Sequence, residues 1–109
     1  MTLTTHELRI MRIVWARGEV KVRDVYEELR AHRQIAYTTA MTMMNILVRK
    51  GRLRKRHDGK AYVYRPLGSR EDALAELVRE LIDEAFDGST SSLIRAAKAV
   101  SQPLRRKRV

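Results

Sequence analysis

Apolar residues fall into helical stripes interrupted by one alternating stretch. Thr4 stands three residues before Glu7, a capping-box spacing, with Leu3 and Leu8 at the positions of a hydrophobic staple. Leu8, Met11 and Trp15 then share a face flanked by Val14, and Gly18 ends this first helix. Glu19-Val20-Lys21 is long enough for a single bridge of strand. Val22, Val25, Tyr26 and Leu29 recur at i, i+3, i+4 and i+7 and predict a second helix. A short turn at His32-Arg33-Gln34-Ile35 leads into a third, from about Ala36 to Lys50, stopped by Gly51. Its projection sets Tyr37, Ala40, Met41, Met44, Leu47 and Val48 on one side. Thr38, Thr39, Thr42, Asn45, Ile46 and Arg49 fall on the other, with Met43 and Lys50 flanking.

The period then changes to two. Leu53 to Arg56 and Ala61 to Arg65 read as strands around His57-Asp58-Gly59-Lys60, and Asp-Gly is a strong hairpin signal. Tyr62 and Tyr64 share one face, Ala61 and Val63 the other, and Pro66 ends the strand. Ser69, three residues before Asp72, caps a fourth helix over about 70–86, striped by Leu74, Leu77, Val78, Leu81, Ile82 and Ala85. Gly88-Ser89-Thr90-Ser91 breaks it. A short fifth helix, about Ser92 to Val100, carries Leu93, Ile94 and Ala97, and Pro103 stops it.

The order helix, short strand, helix, helix, hairpin is that of a winged helix-turn-helix. The expected fold is mainly α with a small β wing. The expected division is a DNA-binding domain over 1–67, a helical dimerisation region over 68–100 and a disordered basic tail over 101–109.

Charge sharpens this division. The 109 residues carry a net charge of +10. Residues 1–67 hold 15 basic and 6 acidic side chains, 68–87 hold 2 and 7, and 88–109 hold 6 and none. A basic block, an acidic amphipathic block and a basic end suggest separate tasks. The third helix is the informative element. A solvated face normally displays Glu and Lys, yet here it shows Thr38, Thr39, Thr42, Asn45 and Arg49, and no acid lies between Glu28 and Asp58. Short hydroxyls and amides approach base edges and phosphates, whereas carboxylates are repelled. Arg49, Lys50, Arg52, Arg54, Lys55, Arg56 and Lys60 put seven cations into twelve residues at the wing. Edge protection needs one or two, so backbone neutralisation is the better account. Met43 and Ile46 project away from the core stripe; they either pack on a neighbouring element or touch thymine methyls.

The fourth helix cannot bury its stripe on the DNA-binding module without covering that module. Pairing of two copies through Leu74, Leu77, Val78, Leu81, Ile82, Phe86, Leu93 and Ile94 is the expected solution. The basic tail either reaches DNA or is a solvated end.

Other chemistries find no support. Zero cysteines exclude thiol catalysis and thiolate metal sites, and His6, His32 and His57 lack ligand spacing. No phosphate loop or nucleophile elbow occurs, so neither an enzyme, a metal nor a cofactor is expected. No apolar run spans a membrane and no signal-peptide pattern opens the chain, so a cytoplasmic location is expected. Besides a sequence-specific repressor, two readings stay open: an architectural binder with little base readout, and a winged-helix module for a protein or an acidic membrane.

Leu3-Thr4, Glu7-Leu8, Met11, Trp15, Val22, Val25, Leu29, Ala36-Tyr37-Thr38-Thr39-x-Met41-Thr42, Lys50-Gly51-x-Leu53 and Ala61-Tyr62-x-Tyr64-x-Pro66 together resemble the penicillinase-repressor family (BlaI/MecI-type) over roughly residues 3–97. The resemblance implies a homodimeric transcriptional repressor binding a palindromic operator. It sets Tyr37, Thr38, Thr39 and Thr42 on the recognition helix, with the wing cations Arg54, Lys55, Arg56 and Lys60 on phosphate. Family members regulate antibiotic-resistance genes (β-lactamase or penicillin-binding protein) or copper homeostasis, and in the β-lactam branch a sensor protease cleaves the dimerisation region. This chain departs from the pattern at Met43 and Ile46, where members often carry Thr and Arg. Arg95-Ala96-Ala97 stands near the place of the cleaved Asn-Phe pair, the C-terminal cysteines of the copper branch are absent, and a basic stretch follows residue 100 where members continue into an acidic helix.

Overall fold

A computed structural model describes residues 3–101. The order is α1 (Thr5–Arg17), α2 (Val22–Arg30), α3 (Tyr37–Arg49), β1 (Leu53–Asp58), β2 (Ala61–Pro66), α4 (Arg70–Ala85) and α5 (Thr90–Ser101). The chain divides after Ala73 into two compact units. The tail expected beyond Ser101 lies outside the described residues.

In the first unit α1 starts as its sequence dictates. The Thr4 hydroxyl accepts from the Glu7 N–H at 3.1 Å, and the Thr4 N–H donates to Glu7 Oε1 at 3.0 Å. Two of the orphan donors of the helix start are thereby satisfied. Gly18 closes the helix at φ 90°. The buried face of α1 is Ile10, Met11, Ile13 and Val14, while Leu8 and Trp15 are only half-buried. The expected stripe is thus rotated toward the two isoleucines. A 13-residue helix with apolar residues all along it offers two adjacent stripes, and packing chooses between them.

Val22, Val25 and Leu29 of α2 join this core, and Asp24 Oδ2 accepts from the Lys21 N–H at 2.8 Å to start the helix. Helix α3 contributes Ala40, Met44 and Leu47, all fully buried. It ends in a Schellman motif. The Arg52 N–H donates to the Leu47 carbonyl and the Gly51 N–H to that of Val48. Gly51 sits at φ 77°, which a residue without Cβ adopts freely.

β1 and β2 pair antiparallel from Leu53↔Pro66 to Asp58↔Ala61. The hairpin is longer than expected and its loop is only Gly59-Lys60. Gly59 takes φ 67° at the first central position, the type II′ arrangement, so His57 and Asp58 continue the strand. The expected single bridge forms between Val20 and Tyr64, with N–H to carbonyl distances of 2.9 and 2.7 Å.

In the second unit and its lead-in, the Asp72 N–H donates to the Ser69 hydroxyl at 3.0 Å and caps α4 as expected. Ser89 has a part the sequence reading assigned to a breaker. Its hydroxyl accepts from the Ser92 N–H at 3.2 Å, so α5 begins at Thr90 rather than Ser92. Asp87 and Gly88, at φ 50° and 79°, turn the chain between the two helices.

Candidate nucleic-acid interface

The outer face of α3 is built from short side chains on a helix whose start is electrically open. Thr38, Thr39, Thr42 and Arg49 are exposed. Ala36, at the N-cap, supplies no side-chain acceptor, and the first turn contains no acid. The positive end of the helix dipole is therefore available to an anion. Tyr37, expected on the core side, is 45% exposed and rests edge-on against Tyr26 of α2, with centroids 5.5 Å apart. Met41, also expected inside, is exposed. The core-facing arc of α3 is narrower than the sequence suggests because Ala40, Met44 and Leu47 already fill it.

Asn45 lies at the edge of this face and turns toward the wing. Its Oδ1 accepts from Tyr64 Oη at 3.1 Å and from Lys55 Nζ at 3.0 Å. The Lys55 ammonium also lies 4.4 Å from the centre of the Tyr62 ring and 5.9 Å from that of Tyr64. Tyr64 is 2% exposed although Tyr62, on the same face of the strand, is 40% exposed. Burial, and then neighbouring Tyr37 and Tyr62, push the Tyr64 hydroxyl above its ordinary 10.0, so it remains a donor. One buried tyrosine thus joins three elements: its backbone bridges Val20, its side chain fills the core and its hydroxyl holds α3. Alternation alone could not distinguish Tyr64 from Tyr62.

The wing cations separate into two groups. Lys55 is held as described, and Arg56 Nη2 lies 3.3 Å from Glu19 Oε1. Lys50 Nζ lies 2.7 Å from Glu7 Oε1, with side chains 15% and 8% exposed, so this cation braces the α1 cap. Burial pushes the Glu7 carboxyl up, but the bonds from Lys50 and Thr4 and the Lys50 charge outweigh it and hold the group below its ordinary 4.5. Arg54 and Lys60 are exposed. Arg65, which sequence reasoning passed over, stands directly opposite Arg54 in the ladder. Like charges at such a pair are unfavourable alone, and a polyanion relieves them. A two-residue loop at Gly59-Lys60 fixes this register, so the signal was present once the turn was placed. Met43 and Ile46 are half-buried, and Met43 lines a hollow with residues of α1 and of the turn before α3.

Among the described residues no group of three or more His, Asp or Glu side chains could hold a metal ion, and no helix is long and apolar enough to cross a membrane. The model of the penicillinase repressor family matches residues 3–106. The chain belongs to that family. It is 34% identical over 85 residues to the transcriptional regulator BlaI of Mycobacterium tuberculosis, covering 77% of this chain and 62% of that protein. It is 24% identical over 88 residues to the penicillinase repressor of Bacillus licheniformis, covering 81% and 69% respectively. To the methicillin resistance regulatory protein MecI of Mammaliicoccus sciuri it is 23% identical over 92 residues, covering 84% and 75%. A solution structure of the DNA-binding domain of the repressor BlaI superposes with a TM-score of 0.58 at 26% identity, covering 66% of this chain and 93% of that one. The chain thus spans under two thirds of the mycobacterial relative's length, and its fold is the mainly helical, two-stranded-wing architecture of the BlaI domain.

Proposed function

We propose that this penicillinase-repressor family member is a homodimeric transcriptional repressor, working in the cytoplasm on a palindromic operator. α3 enters the major groove, with Thr38, Thr39, Thr42 and Arg49 at base edges and nearby phosphates, and Ile46 within reach of thymine methyls. Tyr37 stands at the helix start. Arg54, Arg65 and Lys60 meet the backbone. Asn45, Lys55 and Tyr64 set the wing against α3, and Arg56 is steadied by Glu19. The observation that carries this reading is an acid-free recognition face, on a helix without a side-chain cap, tied through Asn45 to a wing that sets exposed Arg54 opposite exposed Arg65. Relatives named as repressors support the same conclusion.

The dimer would use the apolar stripe of α4 and α5. Val78, Leu81 and Ile94 are 45%, 48% and 48% exposed in the single chain, and Leu74, Leu77, Phe86 and Leu93 are half-buried. Only Ile82 of this set is buried. A second copy related by a twofold axis covers such a surface and presents two α3 helices to successive turns of the groove. The test is selection of duplexes from a random pool followed by footprinting. Two protected patches of inverted sequence, about ten base pairs apart, are expected. Uniform coating without a preferred sequence would favour an architectural binder instead.

A further inference from the structure

The edge of α3 away from the wing borders a cleft. At about 100° per residue, Asn45 and Thr39 lie roughly 120° apart, with Thr38, Thr42 and Arg49 between them. Asn45 marks the wing edge. Thr39, and Met43 beyond it, mark the other edge, where two connected hollows of about 740 and 310 Å3 share Arg9, Leu29 and Arg33. Ile13 and Leu29 line the apolar part of the cleft, and it reaches Ala36 and Thr39 at the start of α3.

Among the described residues, the cations lining this cleft, like the wing's Arg54, Lys60 and Arg65, lack the carboxylate that braces other cations of the unit. Arg17, Arg30, Lys50 and Arg56 each have a carboxylate within 4.0 Å. Among the described residues, Arg9, Arg12 and Arg33 have no such ion pair. Glu28, the one acid among the lining residues, is 3.2 Å from Arg17. Arg9 Nη1 and Arg33 Nη1 approach the same atom, His6 Nδ1, at 3.2 and 3.4 Å. The atom the two guanidiniums share is thus a ring nitrogen and not a carboxylate oxygen. Two guanidiniums, Arg9 and Arg33, are drawn to one ring atom from distant parts of the sequence, with no carboxylate of the described residues beside them. An oxyanion answers both, since the guanidinium fork matches phosphate oxygens.

We propose that His6, Arg9 and Arg33 form a second grip on the DNA phosphate backbone, across α3 from the wing. The grip rests on the reading that α3 enters the groove. A helix in a groove about 12 Å wide has a phosphate strand on each side. The wing serves one strand, and the α1–turn cluster serves the other. Because phosphate contacts position without reading sequence, this grip adds affinity and orientation and leaves base preference to α3.

The test compares two double variants of exposed residues, Arg9→Gln/Arg33→Gln and Arg54→Gln/Lys60→Gln. Binding is measured across a salt series to a short duplex selected by the wild type and to its scrambled version. Thermal unfolding checks that each variant folds. For Arg9→Gln/Arg33→Gln the slope of log affinity against log salt should fall by about 2 per bound chain, with the selected-to-scrambled ratio unchanged. If only the wing pair lowers the slope, the second grip is refuted and the α3–wing reading stands. If neither pair lowers it, both are refuted. If Arg9→Gln/Arg33→Gln abolishes stabilisation by inorganic phosphate while the duplex slope stays at the wild-type value, the cluster is a free-anion pocket and the proposal is overturned.

Discussion

The first unit buries Ile10, Val14, Val25, Ala40, Met44 and Leu47 completely, and pairs Glu7 with Lys50 and Asn45 with Tyr64. In α4 and α5 part of the apolar stripe stays open: Val78, Leu81 and Ile94 are each nearly half exposed, and no residue of α5 is fully enclosed. Both units are helical and amphipathic, so amphipathicity alone does not separate a core from an interface. The difference is three-sided enclosure. Three helices and a hairpin surround one centre, while two helices joined by a four-residue turn leave an apolar face that a single chain does not cover. The charges follow the same division, since the first unit is basic and α4 is acidic on its outer face.

The largest expected effect breaks the second unit. Leu81→Glu removes apolar contact and buries a charge in both copies of the dimer, at about 4 kcal/mol or more, roughly a thousandfold in dimer affinity. Sedimentation should report monomers while the unfolding of the first unit is unchanged; a full dimer mass would contradict the proposed interface. Glu7→Gln attacks the first unit instead. It removes the carboxylate 2.7 Å from Lys50 in a mostly buried site, and a loss of about 3 kcal/mol is expected in denaturant unfolding. The stabilisation that wild-type Glu7 provides is present above its ordinary 4.5 and disappears as pH falls through its lower folded value. The stability gap between wild type and Glu7→Gln should therefore close in acid. A gap that is constant with pH would assign the bond no ionic character.

Tyr64→Phe is subtler. It deletes one donor to Asn45 while Lys55 keeps the other bond, so about 1 kcal/mol of stability should be lost. Amide exchange at the Val20–Tyr64 bridge should quicken. Unchanged exchange together with unchanged duplex affinity would mean that the hydroxyl does not position the wing.

Much of this molecule was legible in advance because its local signals are strong. Thr4 and Glu7, Gly51, the Asp-Gly hairpin and the Ser69 cap each act over three or four residues, which is the range a sequence pattern can carry. The choice of α1 face was less legible, because Ile10 and Ile13 compete with Leu8 and Trp15 until other helices are in place. Partners distant in sequence were not legible at all. Lys50 looks like a wing cation and instead serves Glu7, 43 residues away. His6 looks isolated, yet it joins Arg33 across 27 residues. Asn45 reads as a base-contacting amide, and only the fold reveals that its oxygen is taken by Tyr64 and Lys55.

The central claim is a division of labour within the first unit: neutral side chains of α3 choose the sequence, and cations beside it supply affinity. It is tested most directly by the ratio of affinities for a selected and a scrambled duplex, measured for Thr42→Ala and for Lys60→Ala. Thr42→Ala should lower the ratio by about fivefold, near 1 kcal/mol of discrimination. Lys60→Ala should weaken both duplexes alike, reduce the salt slope by about 1 and leave the ratio intact. A ratio that survives Thr42→Ala and collapses with Lys60→Ala would contradict the account.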